Sequence, residues 1–175
     1  MTLEKIRARI EKIDRKLVRL LEKRMELGVL SKRHKKDIVD EQRENFVLQN
    51  VSVNSKLLLN PDFSKKFFAQ IMEESKRLQQ KDFLLVGFQG EHGAYSEIAA
   101  KKIANAVTIP FTGFEDVFEA VKNGHIDFGV VPVENSLEGS VNHVNDLLIE
   151  TDLKIVGEIT QPIEHCLVCL PSTDY

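Results

Sequence analysis

The stretch LEKIRARIEKIDRKLVRLLEKR, residues 3–24, carries apolar side chains at Leu3, Ile6, Ile10, Ile13, Leu17 and Leu20. The steps alternate between three and four, which is one helical stripe, and the heptad-like rhythm suits packing along another helix. No proline interrupts residues 2–34, and the one glycine is Gly28. Thr2 is placed to cap the helix and Glu4 to complement its dipole. A helix of some 32 residues is a rod of roughly 48 Å. A unit of about 80 residues cannot cover such a rod, so the stripe predicts a partner chain.

Downstream, Asp40 is a good cap for a second helix that turns Phe46 and Val47 inward. Asn60-Pro61 opens a third, with Asn as cap and Pro in the first helical position. Its apolar stripe is Phe63, Phe67, Ile71 and Leu78, and Ser75 and Gln79, four apart, share a face. The chemistry-bearing side chains of this region are Arg7, Arg24, Lys35 and Arg43, with Asp40, Glu44, Ser75 and Gln79 able to orient them or bind a ligand.

The charge balance then breaks. Residues 1–81 carry 20 Lys and Arg against 12 Asp and Glu, a net of +8; residues 82–175 carry 4 against 15, a net of −11, with no arginine. Two units with different partners are implied, at residues 1–81 and 82–175. The basic run at residues 31–36 has no interleaved aromatics and no nucleic-acid module around it, which disfavours DNA or RNA as partner. No apolar run approaches a membrane span. Two cysteines, Cys166 and Cys169, make no disulfide framework, so a reducing cytoplasm is expected.

The second unit alternates strand and helix. Strands are expected at Phe83–Phe88, Val107–Phe111 and Asp127–Val131, helices at Tyr95–Ile103, Phe114–Lys122 and Val141–Ile149, and extended segments at Leu153–Ile159 and Cys166–Leu170. This pattern implies a largely parallel sheet with its ligand at the strands' C-terminal ends. The turn Gln89–Ser96 is rich in glycine, but Gly87, Gly90 and Gly93 do not form a dinucleotide fingerprint, and the Lys-Ser/Thr of a P-loop is missing. Cys166 and Cys169 read as core thiols rather than metal ligands. His92, His125, His143 and His165 read as structural.

Two resemblances follow from these residues. Residues 3–80, through Ile13-Asp14 to Leu20-Leu21, Arg24-Met25-Glu26-Leu27, Asp40–Glu44 and Glu74-Ser75 to Gln79, resemble the all-helical chorismate mutases. The resemblance implies a three-helix unit in an intertwined homodimer, whose active site is shared between chains. It puts the carboxylate-binding arginines on Arg7, Arg24 and Arg43 and the ether-oxygen donors on Lys35 and Gln79. Asp40, Glu44 and Ser75 take its remaining substrate-binding positions, and Arg7 serves the other chain's site. The loop between Lys35 and Asp40 is about four residues shorter than usual in that family, which leaves Lys32 and Lys36 as alternatives to Lys35. The residue set suits the chemistry: chorismate becomes prephenate with no nucleophile, proton transfer, metal or cofactor, so holding the folded conformer and stabilising charge on the ether oxygen suffices. Arginine forks grip the two carboxylates.

The segments Gly87–Ser96, Pro132–Val141 and Ile163–Leu167 resemble the N-terminal half of prephenate dehydratase. This implies part of a periplasmic-binding-protein-like α/β lobe, with Asn135 and Ser136 at the substrate cleft. The Thr-Arg-Phe segment of that family and its phenylalanine-sensing domain have no counterpart here, so the expectation is a partial dehydratase fused to an intact mutase of phenylalanine biosynthesis. Such a chain should form prephenate and stop. The competing expectation is a dimeric small-anion-binding or regulatory module without catalysis.

Overall fold

The computed structural model describes residues 2–55, 58–137, 139–164 and 166–169. Helix α1 spans Leu3–Ser31 and tightens into a 3-10 turn at Lys32–His34. The Lys5 N–H donates to Thr2 Oγ1 at 3.4 Å, so the expected cap forms. Helix α2, Glu41–Asn54, is capped by Asp40, whose Oδ1 accepts from the Arg43 N–H at 2.9 Å. Helix α3, Pro61–Gln79, starts where Asn60 Oδ1 accepts from the N–H groups of Asp62 and Phe63. All three starts satisfy backbone donors that a helix leaves open.

Gly28 lets α1 and α3 approach closely, because a Cβ there would collide with Ser75 Oγ. The apolar stripe of α1 stays uncovered: Ile10 and Leu17 are each 51% exposed and Leu20 is 64%. Phe46, Phe63 and Phe67, expected inward, are also exposed; Ile71 is buried as expected, and Val47 is half-buried. The periodicity of these helices was sound, but one chain does not supply enough surface to cover them.

The second region is a three-stranded parallel sheet in the order β2-β1-β3, with β1 at Leu84–Gln89, β2 at Ala106–Phe111 and β3 at Phe128–Val130. Helix α4, Tyr95–Ala100, and helix α5, Phe114–Lys122, are the crossovers. A small antiparallel pair, β4 at Glu134–Asn135 and β5 at Gly139–Ser140, precedes α6 at Asn142–Glu150. Central strand β1 is buried on both faces, as its unbroken apolar run requires. Val86 and Phe88 pack with Ala100 on one side. On the other, Leu85 joins Val117, Ala120, Ile126 and, from α1, Val29. The two regions therefore share one apolar cluster. Beside it, Arg33 Nη2 donates to both Asp127 oxygens at 2.7 Å, and the His34 and His125 rings lie 4.2 Å apart.

Two expectations fail here. The described part of residues 151–169 has no helix or strand; it is tied down by Lys102 Nζ donating to the Thr160 carbonyl and Tyr95 Oη to that of Glu164. Lacking a ladder partner among the described residues, this segment runs over the surface. Cys166 and Cys169 are exposed free thiols, not core thiols. His165, the strand end at Leu170, and the closing residues 171–175 lie outside the described residues.

Candidate active site

A cleft of about 270 Å³ opens where α1, the loop after it, α2 and α3 converge. Helix α1 contributes Arg24, Gly28 and Ser31; the loop contributes Lys35 and Ile38. From α2 come Asp40 at the cap, Arg43 and Glu44, and from α3 Ser75, Lys76 and Gln79. Seven of the ten residues singled out from the sequence thus meet in one place. Neither Lys32 nor Lys36 lines the cleft; Lys32 Nζ donates instead to the Lys81 carbonyl at 3.4 Å, so Lys35 is the loop cation brought in.

Four cations and two carboxylates line this space, a surplus of two positive charges. Arg24 makes no hydrogen bond or ion pair among the described residues, and burial lowers its pKa from the usual value. A guanidinium stays charged under those conditions, leaving a half-buried cation ready for an anion. Lys35 Nζ donates to the Ile38 carbonyl at 3.1 Å, which folds the short loop back on itself. The Arg43 guanidinium sits over the Phe46 ring, 5.2 Å from its centroid, a cation–π contact that leaves its fork edges open.

At the floor, Gln79 is only 4% exposed and its Nε2 donates to Ser75 Oγ at 3.2 Å. Its Oε1 is buried with no partner. The Ser75 hydroxyl can donate as well as accept, so a half-turn of the amide keeps this bond and makes the orphaned position an N–H donor. An ether or carboxylate oxygen would satisfy it.

Arg7 is not in this cleft. It lies 17 residues before Arg24 on the same helix, about 25 Å along the axis. Asn135 and Ser136 belong to the β4–β5 hairpin of the other region. There Asn135 Oδ1 accepts from the Leu137 N–H at 3.0 Å and shapes the turn.

The glycine-rich turn after β1 holds a second polar cluster that sequence reasoning passed over. Glu97 is 4% exposed. Burial alone would raise its pKa, but the Gly93 N–H at 2.7 Å, Lys101 at 2.7 Å and His92 at 2.9 Å outweigh that and hold it at about 2. The other nitrogen of His92 reaches back to Glu26 on α1 at 3.0 Å. The hydrogen bond to Glu97, with Glu26 beside it, raises the His92 pKa above 6.5. Gly28 and Lys76 were also missed as parts of the cleft. Gly28 was visible as the one glycine of α1; Lys76 gave no signal, because its partner is on another helix.

Among the described residues no helix is long and apolar enough to cross a membrane. Family models match the chain twice: chorismate mutase type II over residues 6–80 and prephenate dehydratase over residues 86–175. Bifunctional chorismate mutase/prephenate dehydratases from Enterobacter agglomerans and Escherichia coli K12 are each 34% identical to it, over 97% of this chain and 49% of their own length. That of Pseudomonas aeruginosa is 34% identical over 95% of this chain and 48% of its own. The chain spans about half the length of these curated relatives. No solved structure matches it. The chain belongs to the prephenate dehydratase family, whose model covers its residues 86–175, and its residues 6–80 match chorismate mutase type II.

Proposed function

We propose that residues 1–81 form a chorismate mutase unit that rearranges chorismate to prephenate in the cleft just described, as an early step toward phenylalanine. One observation carries this reading: Arg24, Lys35, Arg43, Ser75 and Gln79, distant in sequence, line a single cleft with a surplus of positive charge. Chorismate is a dianion. Arg24 and Arg43 grip carboxylates, Glu44 and the Asp40 region receive the hydroxyl, and Lys35 and Gln79 donate to the ether oxygen as its bond breaks. The gain comes from fixing the reactive conformer and from donors aimed where charge develops.

The unit works as a homodimer in a cytoplasmic setting. The uncovered stripe of α1 supports pairing, because Arg24 and Leu27, which both line the cleft, continue its alternating steps after Leu20. A second copy laid along that seam brings its Arg7 to this cleft. Residues 82–175 form the first part of a dehydratase unit, with Asn135 and Ser136 at its substrate cleft. Without arginine or a Thr-Arg-Phe segment in this stretch, the chain stops at prephenate.

The test is to incubate the purified chain with chorismate at neutral pH, following its absorbance and assaying both products. Loss of chorismate with prephenate accumulating supports the reading. Binding without turnover would make the chain a small-anion module instead, and enzyme-dependent phenylpyruvate would show a competent dehydratase.

A further inference from the structure

Lys76 sits between Ser75 and Gln79 on α3, and its ammonium reaches across the cleft to α2. Its Nζ lies 3.1 Å from Glu44 Oε2, with both side chains 28% exposed. Half-sheltered, hydrogen-bonded ion pairs of this kind keep far more of their attraction than pairs in open solvent. Glu44 needs such a partner. An unpaired carboxylate here would repel a dianionic ligand and compete with it for Arg24, Lys35 and Arg43, the other cations of the cleft.

We propose that Lys76 is a positioning residue of this cleft: it holds Glu44 in place and neutralises it, so that the arginines stay free for the carboxylates of the substrate. The proposal rests on reading the cleft as the chorismate site. Lys76 does not touch the reacting atoms; it acts through Glu44. With Oε2 taken by Lys76, Oε1 of Glu44 remains an acceptor for a hydroxyl. Of the four cations, Lys76 alone has its charge spent on a carboxylate side chain among the described residues. It therefore sets the surplus charge rather than gripping the ligand.

The experiment compares wild type with Lys76→Met, Lys76→Arg and the double variant Lys76→Met/Glu44→Gln, each checked by thermal melting. With the Glu44 carboxylate left uncovered beside a dianionic ligand, Lys76→Met should raise KM about tenfold or more while kcat falls much less. Lys76→Arg should recover most of that loss. The double variant should recover part of that KM loss relative to Lys76→Met, because the repelling charge is gone while an amide oxygen still accepts the hydroxyl, though less well; a lysine that merely tied α2 to α3 would give no such recovery. An unchanged KM in Lys76→Met, or a double variant no better than the single one, overturns the proposal. A wild-type chain without turnover overturns the mutase reading alone. The same variants are then ranked by their Kd for chorismate in calorimetry, and absence of the same ranking overturns the role of Lys76.

Discussion

At the scale of single residues the cleft depends on a small amide and a missing side chain. Gln79→Ala removes a donor of the kind whose loss typically costs about 2.7–4 kcal/mol of barrier, or about 100–1,000-fold in rate. Turnover should fall at least tenfold with the circular-dichroism helix signal unchanged, and near-normal turnover would mean the ether-oxygen donor lies elsewhere. Arg24→Lys should be comparably severe, because an ammonium cannot reproduce a planar fork; steady-state kinetics on chorismate reads it directly. Gly28→Ala has a different signature. The new methyl collides with Ser75 Oγ, forcing that hydroxyl away from Gln79. Helix preference returns about 1 kcal/mol while crowding removes about 1–3 kcal/mol, so melting temperature should change modestly while turnover drops several-fold. Ser75 and Gln79 were legible because a four-residue step on one helix is a contact that sequence encodes. The pairing of Lys76 with Glu44 was not, because 32 residues and a turn separate the two and nothing local marks the pair.

At the scale of elements, the glycine-rich turn makes a testable electrostatic unit. Glu97 is held at about 2 against an ordinary carboxylate value of 4.5. A depressed folded pKa means that its stabilising contribution is present above 4.5 and disappears as pH falls toward 2. Denaturant melts should show wild type losing stability across that acid window, and Glu97→Gln should flatten part of the loss. His92 has the opposite sign. Both of its ring nitrogens face carboxylate oxygens, which only accept, so the arrangement needs both N–H groups and hence the imidazolium. Its raised folded pKa means full stabilisation below about 6.5, lost as pH climbs through the folded value. The hydrogen bond to Glu97 contributes most to the raised value, so on deprotonation the contact to Glu26 is the one released. Proton resonances of the His92 ring, followed from pH 5 to 9, should report a midpoint above 6.5 that returns toward it in Glu26→Gln. Strand β1 and helix α5 were readable almost to the residue from apolar runs and the alternation of strand and helix. The segment after α6 was misread because strand-like composition does not guarantee a neighbouring strand to pair with.

For the whole molecule, the exposed apolar row from Leu3 to Leu20 is the largest mismatch between pattern and burial. Light scattering should give a dimer, and Ile10→Glu with Leu17→Glu should yield a monomer that loses turnover because Arg7 can no longer reach a neighbouring cleft. A stable, fully active monomer of the double variant would remove the shared-site reading. Two opposed regions, one at +8 and one at −11, meet through Arg33 with Asp127 and His92 with Glu26 beside the shared Val29 cluster, so added salt should weaken the polar part of their contact and leave the apolar part in place. Helix α1 joins all of this, since its apolar row and its share of the cleft lie along one seam. Each residue advances the seam by about 100°, so deleting one position between Leu20 and Arg24 would swing the arginine off it, while inserting seven would leave it nearly in phase. Length variation in this helix is therefore quantised: evolution can lengthen or shorten it by whole heptads, and single-codon gaps should be missing from its history.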